Sequence, residues 1–218
     1  MNKIPLILIG GGGHCMACID VIELEDKYVI EGILDKEEMI GRTVLGYPVI
    51  GTDTLVADLV KKNFHFLITV GQIKSAGIRK RIFENLKAYG AKIATIVSPR
   101  SYISKHSFIG EGTVVMHGAI INARAIIGLN TIINSNALIE HEVIIGDHVH
   151  ISTAAIVNGS VKIENEVFVG SNSVLCNHIE ITCHTIIGAG STVTNSITTA
   201  GTYVGNPCKL ISQKNNHL

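Results

Sequence analysis

The stretch best able to do chemistry is the tripeptide Glu140-His141-Glu142. An imidazole flanked by carboxylates is typical of a general base, because histidine is largely neutral yet already basic near pH 7. Transfer of an acyl group to an amine or hydroxyl needs such a base, and it needs a donor for the developing oxyanion. The tripeptide therefore favours a histidine that acts as a general base; the competing interpretation is a solvated histidine without a role.

An aliphatic residue recurs at every sixth position from Val97 to Val193, without one insertion. Neither an amphipathic helix nor a β-meander keeps that period for so long. The pattern resembles the hexapeptide-repeat proteins, whose left-handed parallel β-helix places three hexads in each triangular coil. We therefore expect a β-helix in which residues 18 positions apart stack on one another.

Such stacking sorts the outward side chains into three faces. The first face is Tyr102, Ile120, Leu138, Ile156, Val174 and Thr192; the second is Val114, Ile132, His150, Phe168 and Ile186; the third is Phe108, Ile126, Ile144, Lys162, Glu180 and Thr198. Apolar side chains that point outward need a partner. Two complementary apolar faces joined head to tail close most simply as a three-fold ring, so we predict a homotrimer.

Stacking also defines the surroundings of the two most notable histidines. His141 falls between Ala123 and Gly159, two small residues that leave a slot beside the imidazole at the rim of the predicted interface. This slot favours a catalytic histidine. His150 is polar in an apolar outward column, and if buried it needs a partner, for which a ligand is suitable. The remaining histidines at corners of the repeat are predicted to lie at the surface: His117, His148, His178 and His184.

Residues 1–95 lack the hexads and alternate between strands and helices. Strands are predicted over Ile4–Ile9, Tyr28–Leu34, Phe64–Val70 and Lys92–Ile96, and helices over His14–Glu25, from Thr52 or Asp53 to Lys61, and over Ile78–Tyr89. The alternation predicts an α/β domain with a small Rossmann-like parallel sheet. The chain is thus divided into this domain and a β-helix domain over residues 96–218.

A glycine turn, Gly10 to Gly13, joins the first strand to the first helix. Such a turn lets the backbone approach a phosphate at a helix N-terminus, and Asp35 stands where a ribose or base is often bound. The turn does not fit G-x-G-x-x-G, because Cys15 or Met16 occupies the last glycine position, and this disfavours NAD. A tight turn without a ligand remains the alternative.

The whole chain resembles the sialic-acid O-acetyltransferase NeuD/PglD-like family of bacterial sugar acetyltransferases. The resemblance rests on G-x-x-G-H at Gly10 to His14, the small α/β domain, a basic helix after Gly71, and the hexads. It implies an acetyl-CoA-dependent, metal-free enzyme that acetylates the amino group of a nucleotide-linked 4-amino-4,6-dideoxy sugar for cell-surface glycans. The attack is expected to be direct, without a covalent acetyl-cysteine.

The resemblance also assigns residues. His141 would be the general base, Glu142 the acidic partner that assists it, and the Gly159 amide a donor to the oxyanion. Substrate binding is implied for Gly12, Gly13, His14, Asp35, Lys36 and Gly71. Acetyl-CoA binding is implied for His150, Gly159, Ser171, Ala189 and Lys209. Lys209 belongs to a G-x-P-A-K motif in which Cys208 replaces the alanine.

Composition narrows the choice of partner and compartment. The chain has 18 basic and 18 acidic residues, which gives no sign of nucleic-acid or membrane-surface binding, and no apolar stretch is long enough to span a membrane. Five cysteines without a disulfide-type spacing favour the cytoplasm. The C-x-x-C at Cys15 and Cys18 is interpreted as core packing rather than as a zinc or redox site.

Three alternatives remain open. Within the same family, O-acetylation of sialic acid or a related sugar competes with N-acetylation. A zinc lyase similar to γ-carbonic anhydrases would use His117, His141 and His150 as metal ligands. A non-catalytic sensor of nucleotide sugars would not depend on His141 at all.

Overall fold

The computed structural model describes residues 3–213, and they form two compact units. The first unit comprises the chain up to Gly71 together with Gly77–Pro99, and the second comprises Gln72–Ala76 together with the chain from Arg100 onward. Residues 1–2 and 214–218 of the expected domains lie outside the described residues. None of the helices among residues 3–213 has the length and apolarity needed to cross a membrane.

The first unit is built on a mostly parallel sheet. Its strands are β1 (Ile4–Ile9), β2 (Tyr28–Leu34), β3 (Thr43–Val44), β4 (Tyr47–Gly51), β5 (His65–Ile68) and β6 (Lys92–Ile93). The next strand in the chain, β7 (Ile96–Val97), belongs to a different sheet. The helices are α1 (Gly13–Glu25), α2 (Val56–Lys61) and α3 (Gly77–Ala88), with 3-10 turns at Glu37–Met39 and Asp53–Leu55. The sheet order is β3-β4-β2-β1-β5-β6, so the direction of winding reverses beside β1.

The strands of this unit are apolar because they form its core. Leu6, Ile7 and Leu8 of β1 are completely buried, as expected for a central parallel strand that is covered on both faces. Helix α1 buries Cys15 and Cys18 against the same core. The expected α/β fold is confirmed.

Several local features of this part of the chain differ from expectation, and the single strand expected over Lys92–Ile96 is divided into β6 and β7. The helix expected from Thr52 is divided into a 3-10 turn and α2, with the Thr52 hydroxyl accepting from the Thr54 amide at 3.4 Å. The antiparallel β3–β4 hairpin was not expected. Its two-residue turn has positive φ at both Leu45 (48°) and Gly46 (88°), and leucine in the first position hides the usual Asn-Gly signal of such turns.

The second unit is the expected left-handed parallel β-helix, built from two-residue strands. They are β8 (Tyr102–Ile103), β9 (Phe108–Ile109), β10 (Val114–Val115), β11 (Ile120–Ile121), β12 (Ile126–Ile127), β13 (Ile132–Ile133), β14 (Leu138–Ile139), β15 (Ile144–Ile145), β16 (His150–Ile151), β17 (Ile156–Val157), β18 (Lys162–Ile163), β19 (Phe168–Val169), β20 (Val174–Leu175), β21 (Glu180–Ile181), β22 (Ile186–Ile187) and β23 (Thr192–Val193). An antiparallel hairpin, β24 (Gly201–Gly205) and β25 (Cys208–Gln213), ends the described chain. Each strand pairs with its counterpart in the next coil, as where Ile120 pairs with both Tyr102 and Leu138.

A left-handed backbone residue recurs at the corners of the β-helix. Positive φ values occur at Arg124, Asn130, Asn136, Glu142, His148, Ala154, Ser160, Glu166, Asn172, His178 and His184, and at Gly112, Gly118 and Gly190. Each corner must reverse the chain within a few residues, which requires one residue in the left-handed region. The residue that precedes each of them lies at the same corner and stacks on its counterparts in the two adjacent coils.

The three faces differ in exposure. Val114 and Ile132 of the second face are fully buried, whereas Tyr102 of the first face is 59% exposed and Phe108 of the third is 61% exposed. Two apolar faces therefore remain open to solvent. One predicted member was wrong: Thr198 does not continue the third face, because the six-residue period ends after Val193 and Ile197 bridges to Ile181 instead.

Candidate active site

His141 lies at the corner between the first and third faces, the two that are open to solvent. Its imidazole stands over Gly159, where an added Cβ would come within 2.7 Å of Cε1 and 2.8 Å of Nε2. The backbone of Gly159 is not in the left-handed region, so the space for the imidazole, rather than the backbone conformation, requires glycine. The slot expected from the stacking of small residues is present.

Glu142 is held by residues from the adjacent coils. Its Oε1 lies 3.1 Å from Nη1 of Arg124 in the preceding coil, and its Oε2 accepts from the Ser160 hydroxyl of the following coil at 3.2 Å. The same Oε2 is 3.6 Å from Nδ1 of His141. The carboxylate therefore faces Nδ1 and leaves Nε2 on the Gly159 side, where a proton can be accepted.

The other carboxylate of the tripeptide is used differently. Glu140 accepts from the Asn122 side chain at 3.0 Å and from the His141 amide at 3.4 Å. It therefore links two coils and orients the backbone of the base. Sequence reasoning did not single out Arg124, Ser160 or Asn122; the signal that finds them is the stacking rule, since each lies exactly one coil away from Glu142 or Glu140.

His150 is 6% exposed and has protein partners for both ring nitrogens. Its Nδ1 lies 2.6 Å from the Gln72 carbonyl, which can only accept, so Nδ1 carries the proton. Its Nε2 lies 3.2 Å from Asn134 Nδ2, and the Asn134 oxygen is fixed by the Ser135 amide at 2.8 Å. A ligand was expected to be the polar partner that a buried His150 needs, but Gln72 and Asn134 already fill that role. Binding of acetyl-CoA by His150 therefore stays a prediction.

His148 was expected at the surface, and this expectation is wrong. It is 8% exposed, and its Nδ1 lies 2.9 Å from the Asn130 side-chain nitrogen. Corner side chains stack on those of the neighbouring coils, so a corner position alone does not place a residue in solvent. The other three corner histidines, His117, His178 and His184, are not buried.

The remaining residues assigned to acetyl-CoA do not converge on His141 within one chain. Ser171 and Ala189 share the corner between the second and first faces, where the Ser171 hydroxyl lies 2.9 Å from that of Ser152. Ala189 is exposed. Lys209 is exposed on β25, opposite Val204. Their role stays a prediction.

The residues assigned to the sugar nucleotide do come together in the first unit. Gly12 and Gly13 precede and begin α1, and an added Cβ at either would meet no atom within 4 Å. Gly71 follows β5, and an added Cβ there would lie 3.6 Å from Cβ of His14. These residues lie at the carboxyl ends of β1 and β5, where the winding reverses, which is the usual ligand crevice of such sheets.

Asp35 fixes the glycine turn from the end of β2. Its Oδ2 accepts from the Gly11 amide at 2.6 Å, and its Oδ1 accepts from the Lys36 amide at 2.7 Å. Lys36 itself is exposed. The carboxylate therefore positions the turn, and the exposed lysine beside it offers a cation to a phosphate.

The C-x-x-C motif is part of the core. Burial raises the pKa of Cys15 to about 11 and that of Cys18 to about 12, so both remain uncharged thiols near neutral pH. Within residues 3–213, no group of three or more His, Cys, Asp or Glu side chains is arranged to hold a metal ion. His117, His141 and His150 lie on two different corners and one face of the β-helix.

Comparison with known proteins finds similarity over both units. Residues 5–86 match the family model described as the PglD N-terminal domain. A variant of perosamine N-acetyltransferase from Caulobacter crescentus, in complex with CoA and GDP-perosamine, is 25% identical, with a TM-score of 0.88 over 96% of this chain and 97% of that one.

Two further solved structures are similar to the chain. The acetyltransferase domain of PglB from Neisseria gonorrhoeae, in complex with acetyl coenzyme A, is 28% identical, with a TM-score of 0.88 over 96% of this chain and 100% of that one. WeeI from Acinetobacter baumannii, at 22% identity and a TM-score of 0.84, shares the fold over 96% of this chain and 100% of that one. No curated protein matches the chain in sequence.

Proposed function

We propose that the chain is a NeuD/PglD-like sugar acetyltransferase and that it transfers the acetyl group of acetyl-CoA to the amino group of a nucleotide-linked sugar. The observation that carries the proposal is the imidazole of His141 in the slot over Gly159, with Glu142 on its Nδ1 side. The finer assignment, a 4-amino-4,6-dideoxy sugar destined for cell-surface glycans, belongs to the same proposal.

The chemistry follows from the positions of these groups. Nε2 of His141 accepts the proton of the sugar amine as the nitrogen attacks the thioester carbonyl, and later returns it to the departing thiol. The Gly159 amide donates to no acceptor among residues 3–213, so it is available to the developing oxyanion. The Glu142 carboxylate, 3.6 Å from Nδ1, favours the tautomer that carries its proton on Nδ1 and leaves Nε2 free to act as the base.

The first unit supplies the specificity for a nucleotide. The open backbone of Gly12 and Gly13 at the start of α1 suits a phosphate, and Lys36 and Gly71 flank the same crevice. The relative with GDP-perosamine bound supports an amino-sugar nucleotide over free sialic acid. O-acetylation of a sialic acid remains the second candidate, because the same base would serve a hydroxyl.

We further propose that the enzyme is a homotrimer. Tyr102 and Ile120 on the first face, and Phe108 and Ile126 on the third, are apolar and exposed, whereas Val114 and Ile132 on the second face are buried. Two different apolar faces on one prism favour a head-to-tail ring of copies. His141 lies at the corner that borders both faces. A cytoplasmic location, favoured by five free cysteines, is part of this proposal.

A thiol-release assay with acetyl-CoA and a panel of nucleotide-linked amino sugars and sialic acid tests the function. We expect release with an amino-sugar nucleotide, and a loss of about 100-fold or more in kcat for His141→Ala, because a general base contributes 10²–10⁴-fold. His117→Ala is the matched control and should keep the wild-type rate. If His141→Ala stays within a few-fold of wild type, the mechanism is wrong, and loss of activity in His117→Ala would favour a metal site.

A further inference from the structure

Asn177 stands two coils from His141 in the same stacked corner, on the far side of Gly159. The point that a Cβ of Gly159 would occupy is 2.8 Å from Nε2 of His141 and 3.4 Å from Nδ2 of Asn177. The base and the amide nitrogen therefore approach the same glycine. An acyl group placed beside Nε2 of His141 has the Asn177 amide nearby as a hydrogen-bond donor.

An equivalent asparagine in the neighbouring corner does something different. Asn165 occupies the same place in its hexad, and its Oδ1 accepts from the Asp147 amide at 2.8 Å. Asp147 in turn accepts from the Leu129 amide at 2.7 Å. This ladder satisfies the corner amides from one coil to the next, and it is the ordinary structural use of an asparagine in this fold.

Asn177 takes no part in such a ladder. Within residues 3–213 its side chain forms no hydrogen bond, and the Gly159 amide, which the ladder would have supplied with an acceptor, also donates to nothing. Their counterparts in the neighbouring corner, Asn165 and the Asp147 amide, are hydrogen-bonded to each other. Two unused donors therefore flank the imidazole of His141 at the same place.

We propose that the Asn177 amide is a second donor to the acetyl carbonyl oxygen in the transition state, beside the Gly159 amide. The inference rests on the proposed acetyl transfer. The amine lone pair bonds to the thioester carbon, the carbonyl electron pair moves onto oxygen, and Nε2 of His141 takes the amine proton. When the intermediate collapses, the carbonyl re-forms, the carbon–sulfur bond breaks, and the proton passes from His141 to the thiolate of CoA.

The test compares three variants by steady-state kinetics. Asn177→Ala removes the donor, and Asn177→Asp replaces it, at the same size, with a carboxylate that repels the oxyanion. We expect kcat to fall about 10- to 100-fold in both, with KM for each substrate changed less than about three-fold, because one oxyanion donor contributes up to about 10²–10³ and this one is exposed. Asn165→Ala is the control; it should lower the melting temperature and keep kcat within about two-fold.

The outcomes separate this inference from the function on which it rests. Active wild-type enzyme together with Asn177→Ala and Asn177→Asp variants that keep kcat within about two-fold would overturn the role of Asn177 alone. A rise in KM without a fall in kcat would do the same, since it would place the amide in ground-state binding. A wild-type chain that releases no thiol with any acceptor would overturn the acetyl transfer itself.

Discussion

The absence of a side chain at Gly159 makes room for the site. It is the neighbour of His141 in the next coil, and any side chain there would occupy the space that the imidazole uses. The two other groups that hold the base, Glu142 and its partner Arg124, come from the same corner. One corner of the repeat therefore supplies the base, its support and the space around it.

Gly159→Ala should separate the slot from the rest of the fold. The added methyl group would meet Cε1 and Nε2 of His141 at 2.7 and 2.8 Å, so the imidazole must move, and we expect kcat to fall about 10- to 100-fold. The melting temperature should change little, because His141 is exposed and free to turn aside.

The control for that prediction is a double variant. If the methyl group acts only by displacing the imidazole, Gly159→Ala combined with His141→Ala should be no slower than His141→Ala alone. Additive losses in the double variant would mean that Gly159 contributes independently of the slot.

The sequence predicts some of these residues and not others. His141 and its slot follow from the period of the hexads, because stacking is a property of the repeat. The partners of His150 do not follow, since the Gln72 carbonyl comes from a segment far away in sequence and no periodicity connects the two. The buried state of His148 was missed for a related reason, because it depends on the particular side chain of Asn130.

The corners are the elements that the fold repeats most strictly. Asn136, Ala154 and Asn172 stack on one another in successive coils, and all three have positive φ. Asparagine tolerates this conformation, whereas alanine carries a penalty of about 1–2 kcal/mol there. Ala154 is thus a less favourable residue for the left-handed conformation than the asparagines stacked on either side of it.

Ala154→Asn should stabilise the protein. We expect a gain of roughly 0.5–1 kcal/mol from relief of the left-handed alanine, which corresponds to a rise of about 1–4 °C in melting temperature for a chain of this size. Calorimetry or circular dichroism measures it. Ala155→Gly, at the next position, is the contrasting variant: it removes a fully buried methyl group and should lower the melting temperature.

Among the elements, the hexad strands were predictable and the β3–β4 hairpin was not. The strands are predicted by the aliphatic residue at every sixth position, because no other structure sustains that period for so long. The hairpin depends on a left-handed Leu45, a residue that does not signal such a turn. Sequence patterns thus predict the elements that repeat, and they miss a conformation that occurs at a single place in the fold.

The proposed trimer depends on the exposed first and third faces. We expect Ile126→Glu to weaken or abolish the trimer, because a carboxylate would be buried in the centre of an apolar contact without a partner. Sedimentation velocity should show a shift from trimer to monomer. Lys162→Ala, on the same face but in its polar part, should leave the trimer intact, and a wild-type chain that sediments as a monomer would contradict the assembly altogether.

Along the β-helix axis, stacked residues are separated by whole numbers of coils. Stacked residues of successive coils are displaced by one strand spacing, about 4.8 Å, so two groups can be moved apart only by whole coils. Gain or loss of one coil between Asn177 and the hairpin that begins at Gly201 would leave His141, Gly159 and Asn177 in place. It would change their separation from the hairpin that carries Lys209. We therefore expect enzymes of this build to adapt to acyl carriers of other arm lengths by duplicating or deleting one whole coil at a time.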